Sequence, residues 1–510
     1  MSQIFTRTLA ADHVTPVRAY ASLRSHAPKQ SSFLFESVHP GERWGRYSIV
    51  GYRAMNEVLY PPGNDALASF ARELAGRDVP DPVDPSSPFA DTENLAARLS
   101  RAAFGFVAYD SVHEPYNIDL WPSTDAMVRL MRDATVVVFD NLRQTMTIAA
   151  TSIAALNRCE WEMNHGPDFT ALSAPNPKGS PEFVDVSVDD ETFMDRVRRA
   201  KEYIRAGDVF QVVLARTFKS PLRNAEPFDV YRALRVLSPS PYLFFLDFTE
   251  TPMAGGLTIA GASPETLVRL SHNKMTLRPI AGTRKRGASE EEDVKLAEEL
   301  LADPKERAEH VMLIDLARND VGRVCEPGTV ELSANMVIER YSHVMHIVSE
   351  VTGKPRPDVT PGDVLRSAFP AGTLSGAPKV RAMEIIREME EDSRGVYGGA
   401  VGYVMPDGTL DFAIAIRTVI AKDAQFQVTA GAGIVEESVP EMEAQETRNK
   451  AQAALAAIRA AQDAVVEREQ MAEARRAREE RKRLAEQRAA DEAAAAQAAE
   501  TQPESGEPTS

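Results

Sequence analysis

The sequence predicts a fold that combines helices with antiparallel β-strands. Toward the C-terminus, strand-like runs at 399–404, 410–417 and 425–429 are separated by short connections, which favours an antiparallel meander. Near the N-terminus, residues 32–37 have the pattern of a strand, and residues 41–51 follow as a turn and a second strand. Short hairpins of this kind are typical of proteins built on antiparallel sheets.

The composition is that of a soluble globular protein. The chain has 510 residues, 43% of them hydrophobic and 26% charged, and can bury one large core or two to three smaller ones. No run approaches about 18 uninterrupted apolar residues, and the N-terminus lacks the apolar stretch of a signal peptide. We therefore expect a cytoplasmic protein that does not enter a membrane.

The net charge and the cysteine content exclude further classes of protein. A net charge of −17 argues against general binding to nucleic acids or anionic membranes. An anionic substrate would need local Lys or Arg side chains, or a metal ion, against that background. The two cysteines, Cys159 and Cys325, form no disulfide framework and no CxxC motif, which fits a reducing compartment.

The chain divides into four predicted regions. Residues 1–172 form an N-terminal region, with further strands expected at 102–109 and 134–140. The proline-rich stretch within 173–185 predicts a linker, and a region with denser motifs follows at 186–460. The remainder, 461–510, is the C-terminal tail.

An amphipathic helix and a strand open the third region. Apolar residues at helical spacing end at Gly207, and the run 208–216 then predicts a strand. Gln211 shares one face of that strand with Val213 and Ala215. Burying an amide on an apolar face is costly without hydrogen bonds. Gln211 is therefore either a hydrogen-bonded core residue or a residue that lines a site.

A second helix carries two carboxylates one turn apart. After strands expected around 261–265 and 277–283, Asp303 and a proline start the helix, and Glu306 is placed to complete a capping box. Glu309 lies one turn further along. Capping is a sufficient explanation for Glu306, so Glu309 is the better candidate for a ligand.

A glycine-rich turn precedes the last helix. Gly431 and Gly433 flank Ala432, and the missing Cβ atoms let the backbone approach a ligand closely. The run 438–441, Ser-Val-Pro-Glu, predicts a capping box with proline in the first turn.

The first turns of that helix place three charged residues on one face. Glu443, Glu446 and Lys450 lie at i, i+3 and i+7. Together with the pair at Glu306 and Glu309, these carboxylates would converge on a hard cation, and oxygen ligands suit Mg²⁺. A solvated Glu/Lys face explains the helix alone equally well.

The tail is rich in Ala, Glu and Arg and ends in the polar run TQPESGEPTS. We expect a solvated helix that frays into disorder. Its apolar stripe looks too narrow to dock firmly on a core.

Seven ordered motifs run through the third region. They are PIAGTR (279–284), AEHVMLIDLARND (308–320), HVMHIVSEV (343–351), FPAGTLSGAPK (369–379), GGAVGY (398–403), AIAIRT (413–418) and GAGIVEES (431–438). Together they resemble the chorismate-utilising enzymes, and among them the anthranilate-forming branch. The resemblance implies an α+β fold with two large antiparallel sheets packed orthogonally and helices outside, with which the predicted hairpins agree.

The same resemblance implies a magnesium site. Glu309 and Glu446 are similar to the direct Mg²⁺ ligands of the family, with Glu306 and Glu443 behind them through water. The ion would hold the ring carboxylate of chorismate.

The resemblance also implies roles in catalysis and substrate binding. Glu265 is similar to the general acid that protonates the departing 4-hydroxyl, since hydroxide is a poor leaving group. His346 matches a histidine implicated in the later loss of pyruvate, and Thr373 lies in the pocket near these groups. The implied substrate-binding residues are Gln211, Thr283, Tyr397, Arg417, Gly431, Ala432, Gly433 and Lys450.

An effector site for L-tryptophan is implied by two further segments. Phe-Glu-Ser at 35–37 and Pro-Ser-Pro-Tyr-Leu at 239–243 match the family's tryptophan-binding elements. We expect the amino acid to bind there, away from chorismate, and to inhibit. The residues concerned are Glu36, Ser37, Pro241, Tyr242 and Leu243.

Two positions favour amination at carbon 2, followed by loss of pyruvate to give anthranilate. Water-using relatives carry a lysine base where this chain has Gln211, and a neutral amide cannot deprotonate water. Relatives that form 4-amino-4-deoxychorismate often carry a lysine nucleophile where this chain has Ala281.

Ammonia is expected from a separate glutamine amidotransferase subunit, because neither cysteine lies in a glycine-rich nucleophile turn. Three alternatives stay open. In the first, the enzyme releases 2-amino-2-deoxyisochorismate, and in the second it forms 4-amino-4-deoxychorismate. In the third, the chain is a non-catalytic regulator that binds chorismate or tryptophan. A regulator would be expected to lose Glu265 or a metal ligand, and this chain keeps them.

Overall fold

The structure is a computed structural model. It describes residues 3–37, 45–62, 66–67, 70, 79–81, 83, 85–122, 125–167, 170–251, 254–341 and 344–500, with side chains as far as 494. The first residues of the predicted turn at 41–51 and the polar end at 501–510 lie outside this part of the chain.

Strands and helices are interspersed through the described residues. The strands are β1 (Phe5–Ala10), β2 (Ser32–Glu36), β3 (Tyr47–Tyr52), β4 (Asn56–Tyr60), β5 (Ala103–Val107), β6 (Val128–Arg132), β7 (Thr135–Asp140), β8 (Thr145–Ala150), β9 (Asp185–Val186), β10 (Gln211–Pro221), β11 (Tyr242–Phe248), β12 (Leu257–Ser263), β13 (Thr266–Ser271), β14 (Lys274–Leu277), β15 (Ile280–Lys285), β16 (Glu331–Arg340), β17 (Val344–Gly353), β18 (Gly376–Ala377), β19 (Ala400–Val404), β20 (Leu410–Ile414), β21 (Thr418–Lys422) and β22 (Gln425–Ile434). The helices are α1 (Pro16–His26), α2 (Ala90–Leu99), α3 (His113–Tyr116), α4 (Ile153–Asn164), α5 (Asp190–Ala206), α6 (Pro227–Leu237), α7 (Glu290–Ala302), α8 (Pro304–Gly322), α9 (Pro361–Ala368), α10 (Gly372–Ser375), α11 (Lys379–Met389) and α12 (Pro440–Glu500).

The strands form two large antiparallel sheets. Sheet I has the order β1-β8-β7-β3-β2-β11-β12-β21-β22-β10-β18, with β9 beside β10. Sheet II has the order β15-β17-β14-β13-β20-β19-β5-β6-β4, with β16 beside β17. The predicted α+β class, with two large antiparallel sheets flanked by helices, is confirmed.

The sheets share a core, and strands from both halves of the chain enter each sheet. Phe33 of sheet I stacks on Phe104 of sheet II, with ring centroids 3.9 Å apart, within the hydrophobic cluster between the sheets. The next residue, Leu34, points to the other face of sheet I and joins a cluster with α1, α4, α6 and α12. Because both faces of β2 are covered, its three central residues, Phe-Leu-Phe, are all apolar.

The chain crosses from one sheet to the other where a single strand was expected. The prediction for 410–417 is wrong at its C-terminal end, because β20 stops at Ile414 in sheet II and β21 begins at Thr418 in sheet I. Between them Arg417 has a φ of +50°. This left-handed conformation is uncommon for a residue with a Cβ, and it redirects the chain.

Two helix starts are in the predicted places, but with different caps. The Asp303 side chain accepts a hydrogen bond from the backbone N–H of Glu306, while the Glu306 carboxylate pairs with Arg284 at 3.3 Å. α12 begins at Pro440, and the Ser438 hydroxyl accepts from the N–H of Val435 instead of capping the helix. Asp303 therefore caps its helix as predicted but without the reciprocal bond from Glu306, and the capping box predicted at Ser438 is wrong.

The last helix docks further along than the sequence predicted. Ala461 and Ala464 are buried, and Gln462 donates to the carbonyl oxygen of Pro221 at 2.8 Å. Arg468 pairs with Asp229 at 2.6 Å. The expectation that nothing after about 461 docks on the core is therefore wrong, and full exposure begins only after Arg468, continuing through 494. No helix within the described ranges is long and apolar enough to span a membrane.

Candidate active site

A cavity of about 950 Å³ opens between β10, β22, β15 and the helices α8, α10 and α12. It lies beside the crossing between the two sheets, so residues far apart in sequence share its wall. The predicted residues that line it are Gln211, Glu265, Thr283, Glu309, Thr373, Tyr397, Arg417, Gly431, Gly433, Glu443, Glu446 and Lys450. Glu306, His346 and Ala432 are not part of its wall.

Glu265 contributes a carboxyl group to the wall of the cavity. It lies between β12 and β13, and the Thr373 hydroxyl donates to its Oε1 at 3.2 Å. Burial raises the pKa of Glu265 to about 7, against the opposing effects of the Thr373 hydrogen bond and the charges of Arg417 and Lys450. A carboxyl group with this pKa can donate a proton near neutral pH.

Arg417 presents a free guanidinium to the cavity. Its side chain is open to the cavity, and the structure provides it with no hydrogen bond or ion pair to another described residue. The surrounding protein lowers its pKa by desolvation, and the charge of Glu265 opposes that shift. A partly desolvated cation without a partner favours binding of an anion.

The predicted glycine-rich turn is instead part of strand β22, and its glycines make room for side chains of the protein itself. A Cβ at Gly431 would lie 2.7 Å from the Tyr397 hydroxyl, and a Cβ at Gly433 would lie 2.5 Å from Nε2 of Gln211. Both distances are shorter than side chains tolerate, so the glycines let Tyr397 and Gln211 lie over β22. Ala432 points to the opposite side of the strand and is fully buried.

Three carboxylates face the cavity from two helices. Burial raises the pKa of Glu309, with further contributions from Glu306 and Glu446, and burial also raises the pKa of Glu443. The Lys450 amine lies 2.6 Å from Glu446 and donates to the carbonyl oxygen of Gly431 at 3.0 Å. In this arrangement no three His, Cys, Asp or Glu side chains of the described residues stand close enough to hold a metal ion.

His346 lies one residue behind the wall. Its Nδ1 is 3.0 Å from the Thr283 hydroxyl and 3.0 Å from the carbonyl oxygen of Gly282. Thr283 itself lines the cavity, so the imidazole is connected to the cavity through this hydroxyl.

The profile of the family described as chorismate binding enzyme matches residues 57–456. This chain belongs to the chorismate binding enzymes. The resemblance predicted from the seven motifs is thereby confirmed.

Similar proteins of this family cover nearly the whole chain. Anthranilate synthase component 1 of Pseudomonas putida is 42% identical over 472 residues, which are 88% of this chain and 93% of the relative. The protein of the same name from Acetivibrio thermocellus is 42% identical, covering 89% and 94%. The crystal structure of anthranilate synthase component I from Streptococcus pneumoniae TIGR4 has a TM-score of 0.69 and 33% identity, covering 88% of this chain and 99% of that one. The isochorismate synthase MenF of Escherichia coli, at 19% identity and a TM-score of 0.65, shares the fold.

One supporting residue of this chorismate binding enzyme was missed in the sequence. The buried Arg394 pairs with Glu390 and donates to the carbonyl oxygens of Leu374 at 2.7 Å and Val213 at 2.8 Å. Leu374 and Val213 both line the cavity. A single arginine in a turn carries no periodic or capping signal, so only the three-dimensional structure reveals this bracing role.

The two predicted effector segments are neighbours in sheet I. Strands β2 and β11 pair with Leu243 opposite Glu36. The Glu36 carboxylate lies 2.8 Å from Arg235 and accepts from the Tyr231 hydroxyl at 2.6 Å. The Ser37 hydroxyl is buried and has no hydrogen-bond partner among the described residues.

Tyr242 connects these segments to the second sheet. Its hydroxyl lies 2.9 Å from Asp411 and 3.0 Å from the Thr266 hydroxyl. Thr266 directly follows Glu265 in the chain. Pro241 precedes β11. The ring therefore lies between the effector segments and the strand that positions the carboxyl group of the cavity.

Proposed function

We propose that this enzyme is the chorismate-using component of an anthranilate synthase. It combines chorismate with ammonia, releases the 4-hydroxyl as water and eliminates pyruvate to give anthranilate. The observation that carries the proposal is the buried Glu265, whose pKa of about 7 suits a general acid, in one cavity with Arg417 and Lys450. The names of the relatives at 42% identity support the same reaction.

Glu265 supplies the proton for the first step. Ammonia attacks carbon 2, the ring double bonds shift, and the bond from carbon 4 to its hydroxyl breaks. Glu265 protonates that hydroxyl so that water leaves, and the new ammonium group returns a proton to the surroundings. Thr373, which donates to the Glu265 carboxyl group, keeps the acid directed into the cavity.

Cationic and neutral donors orient the dianionic substrate. Arg417 has no protein partner among the described residues, so it is free to pair with the enolpyruvyl carboxylate, assisted by the Tyr397 hydroxyl and the backbone of β22 at Gly431. Lys450 adds positive charge on the same side. Fixing both ends of the substrate places carbon 2 for attack and lowers the entropic cost of the reaction.

We include Mg²⁺ in the proposal. Glu309 and Glu446 would hold the ion, with Glu443 and Glu306 supporting it. Burial and the neighbouring carboxylates raise the pKa values of Glu309 and Glu443, and such a cluster of oxygen ligands suits a hard divalent cation. When bound, the ion would neutralise the ring carboxylate of chorismate. Glu446 would have to exchange its pairing with Lys450 for this role.

Ammonia, not water, is the proposed nucleophile, and a partner subunit is its proposed source. Gln211 cannot act as a base for water, and Ala281 cannot form a covalent intermediate. Cys159 and Cys325 are both buried, and burial raises their pKa values to about 12 and about 11. Neither thiol suits a glutaminase nucleophile, which leaves glutamine hydrolysis to a glutamine amidotransferase subunit.

The test is product identification with the purified chain. Chorismate, Mg²⁺ and ammonium at mildly alkaline pH should give anthranilate and pyruvate in equal amounts, measured by fluorescence and mass spectrometry. Glutamine should not replace ammonium unless a glutaminase subunit is added. Accumulation of an aminated intermediate, formation of isochorismate, or no consumption of chorismate would each reject the proposal.

Feedback inhibition by L-tryptophan forms the last part of the proposal. The pairing of β2 with β11 and the unsatisfied Ser37 hydroxyl support a polar slot at this place. Bound tryptophan should weaken chorismate binding by roughly 5- to 150-fold, the range of typical couplings. Replacing Ser37 by Phe should fill the slot and raise the inhibitory tryptophan concentration. The measurement is an inhibition curve beside wild type, with activity in the absence of tryptophan as the control. Equal sensitivity of the two proteins would remove Ser37 from the effector site.

A further inference from the structure

We propose that Glu339 is a positioning residue for His346 and promotes the elimination of pyruvate. The inference rests on the proposed function, in which His346 takes part in that step. It assigns a role to a carboxylate outside the cavity and outside the motif residues implied by the family resemblance.

The strand register places Glu339 directly beside the imidazole. In sheet II, β17 lies between β15 and β16. His346 is paired with Thr283 on one side and with Glu339 on the other. Residues opposite each other across antiparallel strands project to the same face, so the three side chains form one row. The row begins at the cavity wall with Thr283 and ends at the Glu339 carboxylate.

Hydrogen bonds determine which nitrogen of His346 acts as the base. A carbonyl oxygen only accepts, so the contact of Nδ1 with the Gly282 oxygen requires a proton on Nδ1. Nε2 therefore keeps its lone pair. Burial and the charge of Arg417 lower the pKa of His346, whereas the Gly282 hydrogen bond and the charge of Glu339 oppose this shift.

Glu339 is itself held in place from two sides. The buried Arg278 donates to its Oε1, and the Tyr341 hydroxyl donates to its Oε2 at 3.1 Å. The Tyr341 ring also contacts His346 edge-on, with ring centroids 5.5 Å apart and an angle of 66°. Tyr341 thus contacts both the imidazole and the carboxylate, which fixes their relative positions.

The elimination explains why a fixed carboxylate is useful here. His346, the proposed base, takes the proton from carbon 2, and the electrons of that C–H bond complete the aromatic ring. The bond from carbon 3 to oxygen breaks, and the released enolpyruvate takes up a proton to become pyruvate. His346 becomes an imidazolium in a desolvated position close to Arg417, and the negative charge of Glu339 stabilises it.

The test is the ratio of aminated intermediate to anthranilate, measured by mass spectrometry after reaction with chorismate, Mg²⁺ and ammonium. This ratio does not depend on how much of a variant is folded. E339Q should raise it at least about 10-fold. Y341F, which keeps the ring and loses the hydrogen bond, should raise it less. E331Q removes an exposed carboxylate from the start of the same strand and should match wild type.

The H346Q variant distinguishes a failure of the role proposed for Glu339 from a failure of the proposed function. If H346Q accumulates the intermediate while E339Q and Y341F keep the wild-type ratio, the role of Glu339 is wrong and that of His346 stands. If H346Q gives only anthranilate, both roles are wrong. If wild type forms no anthranilate, the proposed function itself fails, and the inference fails with it. Should E339Q be insoluble, Y341F alone decides between these outcomes.

Discussion

The two ends of α12 carry the same kinds of residue in opposite environments. Its first turns direct Glu443, Glu446 and Lys450 into the cavity, where burial raises the pKa of Glu443. Its distal part directs charges such as those of Arg475 and Glu479 into solvent, where they pair with each other along the helix at 2.9 Å.

Sequence composition alone does not separate these two ends. A Glu or Lys side chain that faces a cavity is held close to other charges in a poorly solvated space, so its loss changes the chemistry of the site. The same side chain in solvent contributes little to stability, because water screens its interactions with other charges. We therefore expect the effects of substitutions to be largest in the cavity and smallest at the solvent-exposed end of α12.

The largest effect is expected at the general acid. E265Q should lower turnover of chorismate by about 100- to 10,000-fold, the usual contribution of a positioned acid. E250Q, which alters an exposed carboxylate, should retain activity. Anthranilate formation by fluorescence is the measurement, and a fall of less than about 10-fold in E265Q would assign the acid to another group.

The same variant should be more stable than wild type at high pH. The pKa of Glu265 rises on folding from 4.5 to about 7, so the folded chain holds the proton more tightly and wild-type stability falls as pH rises through this window. The amide does not titrate. Thermal unfolding of E265Q should match wild type near pH 4.5 and exceed it near pH 8. A constant difference between the two pH values would contradict the raised pKa.

The carboxylates proposed for the metal should differ from an exposed one on the same helix. E309Q and E446Q should lower turnover at least about 100-fold and raise the Mg²⁺ concentration needed for half activity. E443Q should have a smaller effect, because its contact with the ion is proposed to pass through water. E441Q, exposed in the first turn of α12, is the control. Unchanged Mg²⁺ dependence in E309Q and E446Q would remove both from the metal site.

Shortening α12 tests where along the helix its residues stop contributing to the stability of the fold. Removal of residues after 461 deletes the buried Ala464, the Gln462 hydrogen bonds and the pairing of Arg468 with Asp229. We expect a loss of about 2 kcal/mol or more in unfolding free energy. Removal after 469 should leave stability and turnover nearly unchanged, since the following described residues are exposed. Equal stability of the two truncated proteins in denaturant would contradict this boundary.

The smallest effect on stability is expected for the exposed charges in the distal part of α12. R475A breaks an exposed pair with Glu479 and should change the unfolding free energy by no more than about 0.5 kcal/mol. Denaturant unfolding is the measurement. A larger loss would show that this part of the helix makes further contacts in solution.

Much of the site could be predicted because its motifs are local. The carboxylates one turn apart on α8 and α12 and the end of α5 at Gly207 follow from short-range patterns. The capping boxes are incomplete because other groups bind their side chains: Arg284 pairs with Glu306 from a distant strand, and the nearby Val435 N–H donates to Ser438. Local rules describe which bonds a residue can make, and the rest of the fold decides which of them form.

The sequence by itself determined the helix and strand types, the motif residues and the family, because these depend on periodicity and on side-chain chemistry. Only the tertiary structure decided that β20 and β21 belong to different sheets, that α12 docks as far as Arg468, and that Glu339 lies beside His346. An apolar run such as 410–417 is equally compatible with one sheet or two. The choice depends on pairing partners that are distant in the chain, and their positions are fixed only when both sheets pack on their shared core.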